Sequence, residues 1–304
     1  MSSDWNSPAS ATAGEVHLID ALPYVFRAYF SMPTTLTDGA GKPCGATRGF
    51  LDFLVRYLVA ERPESIAVAF DESLTTSFRN EIYPEYKAQR EPPPAELLNQ
   101  LEGCRRGAEA LGLRCLSDPR YEADDLVATL CERSRAAGQR VVVVTIDKDL
   151  SQLVDEHVQL YDYARGKRYD PAGVKERFGV RPDQIADYLG LAGDAVDNIP
   201  GVKGVGPKTA AALLQHFESM DQIYACLDEV ADVEVRGAKS LGAKLQPCRE
   251  MAFLSRTLAT VARDAPIALT LADLSWRGAD RERLQPLLEH LGIPRMAGRI
   301  QRWV

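Results

Sequence analysis

The sequence predicts an α/β domain built on a parallel sheet, followed by a helical subdomain. Three observations carry this reading. Arg140 to Asp147 (RVVVVTID) is a continuous β-branched run, the composition of a central parallel strand covered on both faces. Val16 to Asp20 (VHLID) and Ser65 to Asp71 (SIAVAFD) are two more short apolar runs, each closing on a carboxylate. Segments of helical period separate the runs, and alternation of strand with helix is the pattern of a parallel sheet.

Taken in order, Met1 to Gly14 is Ser-, Ala- and Pro-rich without an apolar stretch or a basic flank, so it reads as a disordered tail and not a signal peptide. After the first strand, Pro23 allows a helix near Tyr24 to Phe30. Ala46 to Ala60 places Phe50, Leu51, Phe53, Leu54, Tyr57 and Leu58 at helical spacing, a stripe that core packing explains. Thr75 to Pro94 is aromatic, basic and Pro-terminated with no clean apolar face, and reads as a functional excursion. Amphipathic helices are expected at Glu96 to Leu111 and Glu122 to Ala136, then a short strand at Val158 to Tyr163 and helices at Pro171 to Phe178 and Pro182 to Leu191. Beyond Gly201 the chain reads as helical to its end.

A length of 304 residues suits one large domain or two intimate ones. No apolar run reaches the roughly 18 residues that a membrane span requires. Six cysteines (Cys44, Cys104, Cys115, Cys131, Cys226, Cys248) show no CxxC spacing and read as reduced packing thiols of a cytoplasmic protein, not zinc ligands. The net charge of −7 argues against a nucleic-acid partner only if the acids are evenly spread. Nine of them are not, and the rest of the chain carries +2.

Asp20, Asp71 and the pair Asp147 and Asp149 sit at strand ends, where ligands gather in parallel sheets. One such Asp is commonly just a helix N-cap; three converging on one edge weaken that alternative. Glu122, Asp124 and Asp125 open a helix (YEADDLVATL), where each acid gains roughly 0.3–1 kcal/mol from the dipole. A third acid adds repulsion, since like charges about 4 Å apart cost about 4 kcal/mol at an effective dielectric of about 20. Asp194 and Asp197 follow in a Gly- and Pro-rich turn, GLAGDAVDNIPG. Carboxylates without His or Cys neighbours suit hard cations, Mg²⁺ or Mn²⁺ for phosphate chemistry. Nine exceed the needs of one ion, and two ions about 4 Å apart would clamp both oxygens of a phosphodiester displacement.

The stretch from Gly201 to Thr209 (GVKGVGPKT) nearly fits a P-loop, but Pro207 separates Gly206 from Lys208 and no strand precedes it. A helix–hairpin–helix fits better: Gly201, Gly204 and Gly206 permit close backbone approach, N–H groups at the next helix start face phosphate, and Lys203, Lys208 and Thr209 add contacts. A plain structural turn is the alternative. In the excursion, Arg79, Tyr86, Lys87 and Arg90 combine cations with an aromatic ring, as phosphate contact plus base stacking requires; a solvated surface face is the alternative.

Taken together, YEADD, TIDKDLSQL, YKAQREPPP and GDAVDNIPGVKGVGPKTA resemble the bacterial and phage flap endonuclease (5′-3′ exonuclease) family, over nearly the whole chain from Val16. The resemblance implies a PIN-like parallel sheet flanked by helices at 15–180, with a helical arch about 72–95, and a helical DNA-binding subdomain at 181–304 containing a helix–three-turn–helix. It implies two metal sites divided among Asp20, Asp71, Glu122, Asp124, Asp125, Asp147, Asp149, Asp194 and Asp197, and K⁺ held by backbone carbonyls of the hairpin. Tyr86, Lys87 and Arg90 fall in the arch, whose basic groups act on the scissile phosphate, and residues 199–209 grip duplex. Ala21 stands where relatives often carry Gly, which removes no ligand. With no polymerase region following, the chain reads as a stand-alone monomeric nuclease of replication and repair that cuts DNA at 5′ flaps and 5′ ends, leaving 5′-phosphates. Lys87 and Arg90 would offset charge on the phosphoryl oxygens. A PIN-type ribonuclease would need neither hairpin nor basic excursion; a non-catalytic junction binder would need no metal.

Overall fold

The computed structural model describes residues 14–72 and 76–304. The expected tail, apart from Gly14, lies outside the described residues. Six strands among them form one sheet: β1 (Glu15–Asp20), β2 (Ser65–Ala69), β3 (Arg114–Leu116), β4 (Arg140–Val144), β5 (Val158–Asp162) and β6 (Lys167–Tyr169). Their order is β3-β2-β1-β4-β5-β6, and all pairs are parallel except β5 with β6. The sheet is therefore mixed, not wholly parallel. The two strands that sequence reading missed are its edges, three residues each and too short to carry a period.

Helices α1 (Ala21–Ser31), α2 (Gly45–Glu61), α3 (Phe78–Ile82), α4 (Ala95–Ala110) and α5 (Ala123–Ala136) are threaded between the strands. Successive strand residues point to opposite faces, so the central strands feed two cores. Ile19, Ile66, Val68, Val142 and Val144 pack with Phe50, Leu51 and Leu54 of α2. Val16, Leu18, Val141 and Val143 pack with Leu126, Val127 and Leu130 of α5. All four valines of β4 are fully buried, which is why its apolar run does not alternate.

The α-helices of the second part are α6 (Pro171–Phe178), α7 (Ile185–Ala192), α8 (Pro207–His216), α9 (Met220–Ala225), α10 (Leu241–Leu245), α11 (Arg249–Ala259) and α12 (Arg281–His290). The expectation of helix from residue 201 to the end is corrected by residues 260–280, which contain no α-helix. Between α11 and α12 runs a largely non-helical strap. Val261 N donates to Gln152 Oε1 (3.1 Å) and Ala265 N to Thr129 Oγ1 (3.0 Å). Arg133 donates to the carbonyls of Ile267 and Leu269 (2.9 and 3.0 Å). Trp276 then binds Glu64 O through its backbone and Leu111 O through its indole (both 2.8 Å). Leu284 and Leu288 of α12 enter the α2-side core. The final segment thus belongs to the α/β domain.

The thiols of Cys44, Cys104 and Cys131 are buried and all six cysteines are free; burial pushes Cys104 up to about 12. No helix among the described residues is long and apolar enough to cross a membrane.

Candidate active site

Strands β2, β1 and β4 are adjacent and parallel, so their carboxyl ends share one edge. Asp20 is the last residue of β1, Asp71 lies two past β2, and Asp147 lies three past β4, in the turn leading to a 3₁₀ helix at Asp149–Leu153. Glu122 and Asp124 arrive from the start of α5, which lies over that edge. A cavity of about 660 Å³ opens there, lined by Asp20, Asp71, Glu122, Asp124 and Asp147 together with Lys87 and Arg90. A second cavity of about 710 Å³, at the β3 edge, is lined by arginines of which three are engaged: Arg105 and Arg283 with Glu109 (3.5 and 3.3 Å), Arg114 with Asp273 O (3.0 Å). The carboxylate cavity is the one that gathers five acids.

That charge is legible in the protonation behaviour. Burial, then the neighbouring charges of Asp71 and Asp147, hold the Asp20 carboxyl well above its usual range, although Thr145 Oγ1 donates to it (2.8 Å). Burial and then Asp147, Asp20 and Asp71 do the same to Asp124. Burial, then Glu122, pushes Asp71 up to about 6 despite a 2.6 Å hydrogen bond from Ala123 N. Asp149 is raised well above the usual range by burial, then Asp147, with Asp197 and Asp194 adding to it. Asp147 lines the cavity with the sheet-edge acids and accepts a hydrogen bond from Asp149 N (2.9 Å), so it stands between that set and the one toward the second subdomain.

Asp194 and Asp197 lie in a turn fixed to α7 and to the hairpin. Asp194 N and O pair with Ile199 O and N (2.9 and 2.8 Å), and Val202 N donates to Leu191 O (2.8 Å). The excursion docks on this turn: Lys87 N donates to Asp197 O (3.0 Å), Asn198 Nδ2 to Glu85 O (2.7 Å) and Gln89 Nε2 to Ala195 O (3.0 Å). Its helical part is α3 alone; the rest is turns and extended chain, with residues 73–75 outside the described residues. Lys87, at φ 56°, sends Nζ to Glu122 Oε1 (2.7 Å) and to within 3.6 Å of Asp197 Oδ2. Arg90 Nη2 donates to Asp197 Oδ1 (2.5 Å).

Four residues expected at the metals or the DNA are placed otherwise. Asp125 is fully buried facing away from the cavity, accepting two hydrogen bonds from Arg79 (both 2.8 Å), one from Ala262 N (2.7 Å) and one from Glu122 N (3.0 Å). Its lone pairs are all taken by protein donors in this structure. Arg79, expected on DNA, is 2% exposed and bonds Asp125, Glu122 (3.1 Å) and the carbonyls of Leu258 (2.8 Å) and Thr260 (3.0 Å). Tyr86 is buried and cannot stack on a base; its hydroxyl donates to Glu122 Oε2 (3.0 Å) and lies 3.2 Å from Asp197 Oδ2, orienting two acids. Gly201 packs its backbone where a Cβ would meet Gly193 N at 2.3 Å, and its N–H is taken by Ser255 Oγ (3.0 Å). It shapes the hairpin and is not free to bind phosphate. Gly204 (φ 86°), Lys203 and Lys208 are exposed at the hairpin tip and the start of α8, with Gly206 and Thr209 beside them.

Sequence reading missed three features. Lys148 hydrogen-bonds Asp194 across the two subdomains; its position between two strand-end acids was the available signal. Thr145 ties Asp20 to Asp147, donating to the first and accepting from Asp147 N (2.9 Å). On α1, Leu22, Phe26 and Phe30 are spaced by four residues and wall the cavity with Pro92, Pro93 and Pro94; Phe30 is 78% exposed and near-parallel to Phe26 (13°, 6.4 Å). The α1 stripe had read as part of an ordinary helix.

The donor set suits hard cations: all oxygen, several carboxyls raised by mutual repulsion, and Asp149 Oδ1 buried without a hydrogen-bond partner. Among the described residues no three His, Cys, Asp or Glu side chains are grouped so as to hold an ion between them. Glu122, Asp197 and Asp194 are instead ion-paired to Lys87, Arg90 and Lys148.

A family model described as "5′-3′ exonuclease, N-terminal resolvase-like domain" matches residues 15–179, and one described as "5′-3′ exonuclease, C-terminal SAM fold" matches 180–282. The chain is 45% identical over 276 residues to DNA polymerase I of Pseudomonas aeruginosa, covering 90% of this chain and 30% of that protein. It is 39% identical over 280 residues to DNA polymerase I of Bacillus caldotenax, covering 91% and 31%. It thus spans about a third of these relatives' length. The fold is shared with T5 5′-exonuclease bound to zinc ions (TM-score 0.66, 19% identity, 91% of this chain and 99% of that one). It is shared equally with bacteriophage T5 flap endonuclease in a pseudo-enzyme-product complex with DNA and metal ions (TM-score 0.66, 18% identity, 91% and 99%). The chain belongs to the 5′-3′ exonuclease family.

Proposed function

We propose that this chain is a metal-dependent nuclease that hydrolyses DNA phosphodiester bonds at 5′ flaps and 5′ ends and leaves 5′-phosphates. The observation that carries the proposal is the gathering of Asp20, Asp71, Glu122, Asp124 and Asp147 round one cavity with Lys87 and Arg90, next to the Asp194–Asp197 turn that leads into an exposed Gly- and Lys-bearing hairpin. Asp20, Asp71, Glu122, Asp124 and Asp147 would hold one Mg²⁺ or Mn²⁺, and Asp147, Asp149, Asp194 and Asp197 a second. When bound, two such ions supply Lewis-acid stabilisation at both the attacking and the leaving oxygen of an in-line displacement.

The chain's own groups do the rest. Lys87 and Arg90, lining the cavity together with the acids, are placed to neutralise charge growing on the phosphoryl oxygens. Tyr86 and Thr145 orient Glu122, Asp197 and Asp20. Phe26 and Phe30 offer an apolar wall on which unstacked bases beside the scissile bond can rest. The hairpin tip and the first turn of α8 give Lys203, Lys208 and free N–H groups to the duplex backbone without reading sequence, with K⁺ held by hairpin carbonyls as the family resemblance implies. The protein works as a cytoplasmic monomer on branched DNA.

The test is cleavage of labelled substrates with Mg²⁺ and with excess chelator. Release of the 5′ flap in Mg²⁺ alone, with single-stranded RNA left intact, is expected. RNA cut in preference would favour a ribonuclease, and flap binding without cutting would favour a junction binder; either overturns the proposal.

A further inference from the structure

Lys148 lies between Asp147 and Asp149, and Asp149 N donates to Asp147 Oδ1 (2.9 Å), a turn that directs the lysine outward from the strand end. Its Nζ hydrogen-bonds Asp194 Oδ2, from the other subdomain, and stands 3.8 Å from Asp149 Oδ1. That oxygen is buried and accepts no hydrogen bond. A buried carboxylate oxygen left unpaired costs the desolvation of the group, and 3.8 Å is too long for an ammonium to relieve it by hydrogen bonding. The Asp194 side chain is only 5% exposed, that of Asp149 13%, and that of Lys148 37%. A partly exposed ammonium therefore stands between two recessed acids, bonded to one and missing the other.

We infer that Lys148 is a resident counter-ion of the second acid set, occupying the space between Asp149 and Asp194 that a divalent cation takes, so that loading the ion displaces the lysine. The inference rests on the two-cation reading given above. A divalent ion can draw in both oxygens at once, satisfying Asp149 Oδ1 where the lysine does not; a monovalent ammonium nearby repels it. Removing the lysine's charge then strengthens cation binding at this set, the reverse of what loss of a supporting residue does. Lys148 is a positioning residue: it keeps two like charges from different subdomains together until the ion arrives.

The test is direct titration of Mn²⁺, without DNA, by counting free ion with electron paramagnetic resonance. Lys148→Met and, as a second uncharged form, Lys148→Gln should bind the weaker of two Mn²⁺ ions at least tenfold more tightly than the unaltered protein. Lys148→Arg, which keeps the charge, should not. In chelator the uncharged variants should melt at lower temperature than the unaltered protein, and Mn²⁺ should raise their melting temperature by more. Two bound ions with unchanged or weaker affinity in folded Lys148→Met and Lys148→Gln would overturn the Lys148 role and leave the two-cation reading standing. Absence of Mn²⁺ binding in every form would overturn both.

Discussion

Replacing Arg79 by Met should unfold the protein more readily without touching the DNA-contact surface. Arg79 makes five hydrogen bonds, two to Asp125, one to Glu122 and two to backbone carbonyls of the chain at Leu258 and Thr260, and its side chain is 2% exposed. Met keeps most of the volume and removes the charge. Asp125, fully buried, then stands uncompensated beside Glu122, and breaking a buried pair in this way costs roughly 3–5 kcal/mol. The expected fall in melting temperature is on the order of 10 °C. Arg79→Met with Asp125→Leu should recover part of the loss, because the orphan charge is gone; two N–H groups, of Ala262 and Glu122, still lose their acceptor. Urea unfolding in chelator gives the stability of each form and completes a double-mutant cycle. A folded Arg79→Met protein with an unchanged midpoint and weakened flap binding would refute the structural role and return Arg79 to the DNA surface.

Further perturbations separate chemistry from scaffold. Lys87→Ala should lower turnover by roughly 10²–10³-fold, by analogy with loss of one charge-stabilising donor; thermal stability lost in step with rate would mark a structural role. Asp194→Asn with Asp197→Asn keeps the turn, including the bond from Val196 N to the residue-194 side chain (2.7 Å). This pair should cleave poorly in Mg²⁺ yet bind flap DNA at least as tightly in chelator; near-normal cleavage would refute their place at the cation. Asp71, with its carboxyl at about 6 against an ordinary 3.8, works against the usual carboxylate trend. The folded state favours its proton, so its contribution is most favourable below the unfolded value and is lost as pH rises through about 6, by up to about 3 kcal/mol. Stability measured in chelator should fall relative to stability in Mg²⁺ between about pH 4 and 6, and apparent Mg²⁺ affinity should rise over the same interval as protons are displaced. A chelator-to-Mg²⁺ difference that stays flat across that range would refute the raised carboxyl.

What could be read without coordinates followed from burial and period. The β4 run and the α2 stripe announced themselves because core strands and core helices leave strong apolar patterns, and the acids at the ends of β1, β2 and β4 converge because adjacent parallel strands share an edge. What escaped was decided by direction. Asp124 and Asp125 are neighbours in sequence but about 100° apart on a helix: one turns to the cavity, the other to Arg79 and the strap. Asp125 shares its buried face with Thr129, one turn on, yet two acids side by side look alike on paper. Arg79 and Tyr86 resembled a solvent-facing basic stretch because their partners lie dozens to almost two hundred positions away. The strap carries no period, since its bonds run through backbone groups to Gln152, Thr129 and Arg133.

The strap also determines how the molecule comes apart. The chain leaves the sheet after β6, builds the helical subdomain, and is then sewn back by the amide of Val261 to Gln152 and by those of Ala262 and Ala265 to α5, before α12 rejoins the α2-side core. A unit held at both ends cannot peel away like a terminal domain. Opening it exposes Asp125 and Arg79 together with the floor of the acid cavity, so partial unfolding on this side carries the cost of a buried ion pair. Calorimetry of the intact chain should therefore show one transition, with strap amides protected from hydrogen exchange, and a single cut between α11 and α12 should split it into two.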